Sequence, residues 1–327
     1  MKNVLVTGGT GFLGSNLAIA LLEQACNVRI LRRATSDLRA IGTAQVSHSI
    51  GDIRNPEDVR KAVIGCDTVF HTAALVSYWS RQRQLLFDIN IGGTKNVVDA
   101  CLDAGVEKLV HTSSIAAIGF PGDGILADET VAFNPEEQDV GYRISKHQAE
   151  AEVLRGVNAG LPAVILNPSL IMGPRDVSFN AGQIVRDVYR GRLFFYTRGG
   201  VSMVSVGDVV RGHLEAVRRG RVGERYILAG ENLTHREIIR TTAEVVGHTG
   251  PIFRIPMTLA RSVARLSEAI GNMTNRKPWV GRELVVSLDQ RRWFSSAKAA
   301  RELGYTITPF RETVRQTFEW YRQNGFL

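Results

Sequence analysis

The sequence predicts an α/β protein: a doubly wound parallel sheet followed by a smaller mixed domain. Short apolar runs alternate with stretches of helical apolar spacing through the first half. A glycine-rich turn joins the first such run to the first helical stretch. After Pro168 the rhythm changes, with prolines at 174, 251, 256, 278 and 309, more arginine and fewer strand-like runs. The chain has 327 residues, 44% of them hydrophobic, which is long enough for a sizeable core. That apolar content, with 32 glycines spread along it, excludes disorder and coiled coil. No apolar run approaches the ~18 residues of a membrane span.

The elements follow in order. Residues 4–6 form a buried strand and residues 11–24 a helix. Residues 28–31 and 46–49 are the second and third strands. Asn55-Pro56-Glu57-Asp58 starts a helix, with an Asn cap, Pro in the first turn and acids behind it. Residues 68–71 are a strand, residues 88–104 a long helix closed by Gly105, and residues 109–112 the next strand. A helix over 139–160 and a strand over 163–166 complete the alternation. Strands alternating with helices imply a parallel sheet covered on both faces. The expected division is 1–168 for this domain, with a return segment near 200–218, and 169–327 for a domain covering the carboxyl edge, where such sheets bind ligands. Thr234-His235-Arg236-Glu237 is a capping box opening a helix. Residues 257–270 place Leu259, Val263, Leu266 and Ile270 at helical spacing beside Arg261 and Arg265. With Trp279 and Trp293 downstream, this stretch reads as a core-facing helix with exposed arginines in preference to a membrane-surface helix.

Charge is uneven. Residues 1–165 carry 15 Lys and Arg against 18 Asp and Glu, residues 166–327 carry 25 against 14, and the net charge is +8. A basic second half attracts anionic partners or is simply a solvated surface. No nucleic-acid motif accompanies it, so nucleic acid is set aside. Cys26, Cys66 and Cys101 are odd in number and at no metal-ligand spacing. They read as buried thiols of a reducing compartment. His71, His111 and His213 also lack ligand spacing, so no metal is expected. The opening residues enter a strand without a leader-like stretch, and the expected location is cytoplasmic.

Three signals carry chemistry. Thr7-Gly8-Gly9-Thr10-Gly11-Phe12-Leu13-Gly14 lies between a strand and a helix, where glycines permit a tight turn and close approach to a pyrophosphate. Gly8, Thr10, Gly11, Phe12, Leu13 and Gly14 are therefore candidate cofactor contacts. The second strand ends in Arg32 and Arg33, where an NAD site usually places an acid; Asp37 comes too late. Two guanidiniums suit a 2′-phosphate, so NADP(H) is favoured over NAD(H). Tyr142 and Lys146 sit one helical turn apart, and a neighbouring ammonium favours the phenolate. Upstream, His111-Thr112-Ser113-Ser114 ends a strand and offers a hydroxyl to the same carbonyl.

Together these residues resemble the extended branch of the short-chain dehydrogenase/reductase superfamily, nearly end to end. Gly51-Asp52-Ile53 resembles its adenine-binding segment. His71-Thr72-Ala73-Ala74 resembles the loop against the cofactor, and Asn90-Ile91-Gly92-Gly93-Thr94 its Asn-x-x-Gly-Thr. Leu166-Asn167-Pro168, Val206-Gly207-Asp208-Val209 and the stretch from Phe294 to Tyr305 are similar to later landmarks. The resemblance implies a Rossmann fold and a catalytic set of Ser114, Tyr142 and Lys146. It also implies cofactor contacts from Asp52, Ile53, Thr72, Ala73, Ala74, Asn90, Thr112, Tyr142, Lys146, Asn167 and Pro168, and a homodimer. Tyr142 would exchange a proton with substrate, Ser114 would hold the oxygen, and Lys146 would bind the nicotinamide ribose and bias Tyr142.

Residues 73–79 and 111–119 resemble the dihydroflavonol-reductase and 3β-hydroxysteroid-dehydrogenase group. Residues 223–228 and 231–234 resemble hopanoid-associated sugar epimerases. Related UDP-sugar epimerases place an Arg seven residues before the position of Asp208, which here is Val201. Their later Arg-x-Gly-Asp segment has no match in residues 282–286 or 289–292, although Arg291 and Arg292 remain as substitutes. Tyr78, Trp79, Phe120, Met172, Phe194, Phe195 and Tyr196 are candidate pocket walls, and Asn167 a polar one for orienting substrate. The leading expectation is an NADP(H)-dependent oxidoreductase acting on a small-molecule carbonyl or secondary alcohol, with Trp79, Ser114, Asn167 and Met172 at the substrate. An epimerase or dehydratase of a nucleotide sugar is the alternative, and a non-catalytic redox sensor a third.

Overall fold

The computed structural model describes residues 1–134, 140–274, 281, 285 and 288–327. In chain order the first half runs β1 (Asn3–Thr7), α1 (Phe12–Glu23), β2 (Asn27–Arg32), β3 (Ser47–Ile50), α2 (Pro56–Val63), β4 (Thr68–His71) and α3 (Arg83–Phe87). It continues through α4 (Gly93–Asp103), β5 (Lys108–Thr112), β6 (Leu126–Ala127), α5 (Gly141–Asn158) and β7 (Ala163–Pro168). The second half runs β8 (Leu170–Met172), α6 (Gly182–Tyr189), β9 (Phe195–Tyr196), β10 (Gly200–Ser205), α7 (Val206–Arg219) and β11 (Arg225–Leu228). Next come β12 (Glu231–Thr234), α8 (His235–Val246), β13 (Phe253–Arg254), α9 (Met257–Thr274) and β14 (Arg291–Phe294). The helices Ala297–Leu303 and Phe310–Gln323 close the chain.

Seven strands form a parallel sheet in the order β11-β7-β5-β4-β1-β2-β3. Because side chains alternate along a strand, β1 feeds two cores. Val4 and Val6 join Leu17 and Leu21 of α1 and Val209 and Leu214 of α7 on one face. Leu5 joins Val59 of α2, Val97 and Cys101 of α4 and Val153 of α5 on the other. This is the doubly wound Rossmann arrangement. The order reverses beside β1, and the glycine turn opens at that point. All three cysteines are buried free thiols.

The second sheet has β10 at its centre, antiparallel to β12 and parallel to β8 and β14. Its core joins Met172, Val185, Val188, Ile238, Phe310 and Val314. The return to the large sheet consists of α7 and β11, while β10, placed in that return from the sequence, belongs to the second sheet. Ala299, Leu303 and Tyr305 also pack into the large sheet's core, so the chain crosses between the two layers more than once.

Two elements differ from expectation, and one meets it in full. The helix foreseen over 88–104 opens with a π-helical turn, Asp88–Gly92, which buries Asn90, continues as α4, and is preceded without a break by α3. The Thr234 capping box is present, with both reciprocal bonds formed. The helix at 257–270 forms as α9, but it faces the other way. Ala260, Ala264, Ser267, Glu268 and Gly271 are buried, whereas Leu259, Val263, Leu266 and Ile270 are exposed. The small residues pack inward and the large apolar ones meet solvent. Residue 139, Pro278, Trp279, and all of 282–286 except Val285 lie outside the described residues.

Candidate active site

The carboxyl ends of β1, β4 and β5 meet around the glycine turn. Gly8 has φ +71°, and a Cβ there would lie 2.8 Å from the Ala73 backbone. A Cβ on Gly14 would run into the Gly8 carbonyl oxygen. The turn therefore presses against both the β4 loop and its own helix. Gly11 caps α1 with no side-chain hydrogen bond, and the first turn holds no acid. Its N–H groups and dipole are left facing outward, a donor set that fits a pyrophosphate. Thr10 is half-buried beside them, while Phe12 and Leu13 pack against the core below.

Arg32 ends β2 and Arg33 follows it. The Arg32 Nε donates to His48 Nδ1 at 2.9 Å, and Arg33 is exposed. The nearby carboxylate of Asp37 is held by Arg39 at 2.7 Å, which depresses its pKa. Asp52 is paired with Arg54 at 2.8 Å, which likewise lowers its pKa, and Ile53 packs against Gly93. Thr72 donates to the Thr7 carbonyl at 2.7 Å, and the Ala73 N–H donates to the Thr7 hydroxyl at 3.3 Å. Ala74 is exposed just beyond. Asn90 accepts from the Leu75 N–H at 2.8 Å and donates to the Leu75 carbonyl and the Ser145 hydroxyl, each at 2.9 Å. It staples the loop after β4 to α5.

Tyr142 and Lys146 project from the first two turns of α5. The Tyr142 phenol is buried, hydrogen-bonded to Ser114 and edge-on to Tyr78 at 5.7 Å between ring centroids. Ser113 points elsewhere and donates to Glu150 at 2.5 Å. Lys146 is buried and donates to the Thr112 carbonyl at 2.9 Å; burial brings its pKa down to about 8. The expectation that Lys146 favours the phenolate is corrected here. Burial, reinforced by Tyr78, pushes the Tyr142 pKa up, and only the Ser114 bond opposes it.

Glu150 was missed from the sequence. It continues the Tyr142, Lys146 spacing one turn further and is almost fully buried. It accepts from Ser113 and from Asn167 at 2.6 Å and pairs with Arg225 of β11 at 2.7 Å. Burial raises its pKa and Arg225 pulls it back. Its i+4 position after Lys146 was the available signal.

Four further expected ligand contacts, Asn167, Met172, Trp79 and Pro168, are held within the protein itself. The Asn167 amide donates to the Ser114 carbonyl at 2.9 Å and to Glu150, so it sets the serine's position and does not present that amide to a substrate. Met172 is fully buried in the second core and does not line the site. Trp79 is buried and its indole N–H donates to Asn272 of α9 at 3.0 Å. Pro168, also buried, ends β7 beside Leu228. Among the described residues no cluster of His, Cys, Asp or Glu fits a metal ion.

The model for the NAD dependent epimerase/dehydratase family matches residues 4–229. The chain belongs to that family. Its members include the extended short-chain dehydrogenases/reductases that the residues resembled. A Synechocystis relative, named provisionally a dihydroflavonol 4-reductase, is 35% identical across 98% of this chain and 95% of its own. Sterol demethylase protein B of Methylococcus capsulatus is 33% identical across 99% of both chains. The crystal structure of gox2253 superimposes with a TM-score of 0.86 at 37% identity, covering both chains in full. As a family member, the chain is an NAD(P)-dependent oxidoreductase of the extended type, and among its described residues no helix is long and apolar enough to cross a membrane.

Proposed function

We propose that this family member is an NADP(H)-dependent reductase of a small-molecule ketone or aldehyde, working in reverse on the matching alcohol. The observation that carries this reading is the Tyr142 phenol, buried, held by Ser114 and raised in pKa. A phenol that stays protonated is the form that gives a proton to a carbonyl oxygen. The glycine turn, Arg32, Arg33 and Lys146 would hold a nicotinamide dinucleotide, which would supply the hydride when bound. Tyr142 donates its proton to the oxygen as negative charge develops there, and Ser114 orients that oxygen by hydrogen bonding. Lys146 contributes positive charge beside the site below pH about 8. Asn167 and Glu150 fix the backbone of Ser114 and the side chain of Ser113.

The nucleotide-sugar alternative needs cations for two phosphates. Position 201 is a valine on β10, Arg291 is bound to Asp123 at 2.9 Å, and Arg292 lies over the Phe120 ring at 4.7 Å. These placements favour a carbonyl substrate without a diphosphate.

Two measurements test the reading. Tyr142→Phe is expected to abolish NADPH-dependent turnover while the calorimetric Kd for NADPH stays within about twofold, since no charge is altered. Surviving turnover overturns the proton-donor role. Replacing Arg32 and Arg33 by Ala is expected to weaken NADPH by at least about tenfold and NADH little, as each charge-assisted bond contributes ~1.5–3 kcal/mol. Equal losses for both cofactors remove the 2′-phosphate assignment.

A further inference from the structure

We propose that α9, with the adjoining β9–β13 pair, is a docking surface for an anionic lipid bilayer. Leu259, Val263, Leu266, Ile270 and Met273 are 54%, 48%, 64%, 41% and 87% exposed. At about 100° per residue they fall within an arc of roughly 80°. The buried side of the helix carries Ala260, Ala264, Ser267, Gly271 and the carboxylate Glu268, and it packs through Ala260 and Ala264 on Val285 and Leu288. The apolar stripe is therefore surplus to the fold. A core-facing helix would bury it, and an ordinary solvated helix would not carry five large apolar side chains in one line.

Charge decides what covers it. Between the buried side and the stripe lie Arg261, which pairs with Asp289 at 3.0 Å, and Arg265, both exposed, and Arg254 is exposed just before the helix. From residue 253 to residue 274 the sole carboxylate is Glu268, which is buried. Phe253 pairs in register with Phe195, and Phe194, Phe195 and Phe253 are all exposed, with Arg190 and Arg192 exposed in the preceding turn. An apolar ridge edged by guanidiniums, on a helix whose described residues expose no carboxylate, matches a surface that offers acyl chains below and anionic headgroups above. A second copy of the chain would bring the same arginines against each other.

The surface also leads to the site. Asn272, in the last turn of α9, accepts the Trp79 indole N–H, and Trp79 follows Tyr78, whose ring borders Tyr142. If the carbonyl-reductase reading holds, on which this consequence alone rests, an apolar substrate reaches Tyr142 from the bilayer along α9.

The test is vesicle flotation of the whole protein, which needs no turnover. Wild type is expected to float with vesicles of phosphatidylcholine and phosphatidylglycerol, less with phosphatidylcholine alone, and less in ~1 M salt, where screening shortens to about 3 Å. Leu266→Ser is expected to lower partitioning roughly tenfold, the factor for withdrawing one leucine from an apolar phase. Ile64→Ser, at a site 64% exposed in the loop after α2, is the control and leaves partitioning unchanged. Unaltered NADPH binding by calorimetry verifies that both variants are folded. The proposal falls if wild type stays in the aqueous fraction, if neutral vesicles bind it equally, or if Leu266→Ser floats like wild type. It falls equally if light scattering finds a dimer that Leu266→Ser dissolves without any vesicle binding.

Discussion

At Glu150 a carboxylate is taken out of water and answered by three partners: Arg225, Ser113 and Asn167. Burying such a charge is tolerable only when each partner stays in place. Glu150→Gln keeps acceptors for Ser113 and Asn167 but leaves the Arg225 guanidinium without its counter-ion. The expected loss is about 2–3 kcal/mol, read as a lower Tm in thermal melts. An unchanged melt would show that the pair contributes no net stability. Because Asn167 also donates to the Ser114 carbonyl, Asn167→Leu is expected to lower kcat more than it raises KM, through misplacement of the serine. A loss confined to KM would instead place Asn167 at the substrate.

Elements set these positions through their ends. The cofactor turn works because α1 begins against Gly8, and Gly14→Ala forces a Cβ into the Gly8 carbonyl oxygen. The helix must shift to admit it. That variant is expected to lose cofactor affinity with the second domain's core intact, a result that calorimetry and near-UV dichroism would separate. In α8 the Thr234 hydroxyl and Glu237 carboxylate satisfy each other's backbone N–H groups. Thr234→Ala is expected to cost about 1 kcal/mol by denaturant titration, without effect on cofactor binding. The π-turn at Asp88–Gly92 shows the opposite case, where an element departs from regularity so that Asn90 reaches both Leu75 and Ser145.

Across the whole molecule, three buried histidines give the fold an acid sensitivity. Burial lowers the pKa of His71 to about 3 and of His213 to about 4, and lowers His111 well below its usual value. Unfolded, each titrates near 6.5. The sign follows: the unfolded chain binds more protons between the two values, so stability is complete above pH ~6.5 and declines as pH falls towards 4. Each histidine contributes a slope of about 1.4 kcal/mol per pH unit in that window. His71 is tied to Thr7 and Thr94, and His213 to Thr112 and the Val209 carbonyl, whereas both ring nitrogens of His111 are buried without protein partners. His111→Leu is expected to flatten the Tm decline between pH 6.5 and 4 and to leave Tm at pH 7 equal or higher. A steeper decline would contradict the neutral assignment.

Local chemistry in the sequence was enough for the alternating strands, the glycine turn, the Thr234 cap and the i,i+4 pair Tyr142 and Lys146, because each depends on neighbours within one turn or one strand. The roles of Glu150, Asn167 and Met172 depended on partners far along the chain, such as Arg225 on a strand that returns to the sheet after the second domain has begun. The same limit applies to α9. Its spacing announced an amphipathic helix, but periodicity is identical whether the apolar stripe faces in or out. Only packing decided that alanines 260 and 264 take the inner side and the leucines the outer one. The Tyr142 phenol follows this rule as well: the adjacent lysine argued for a lowered pKa, and burial, a property of the assembled fold, raised it.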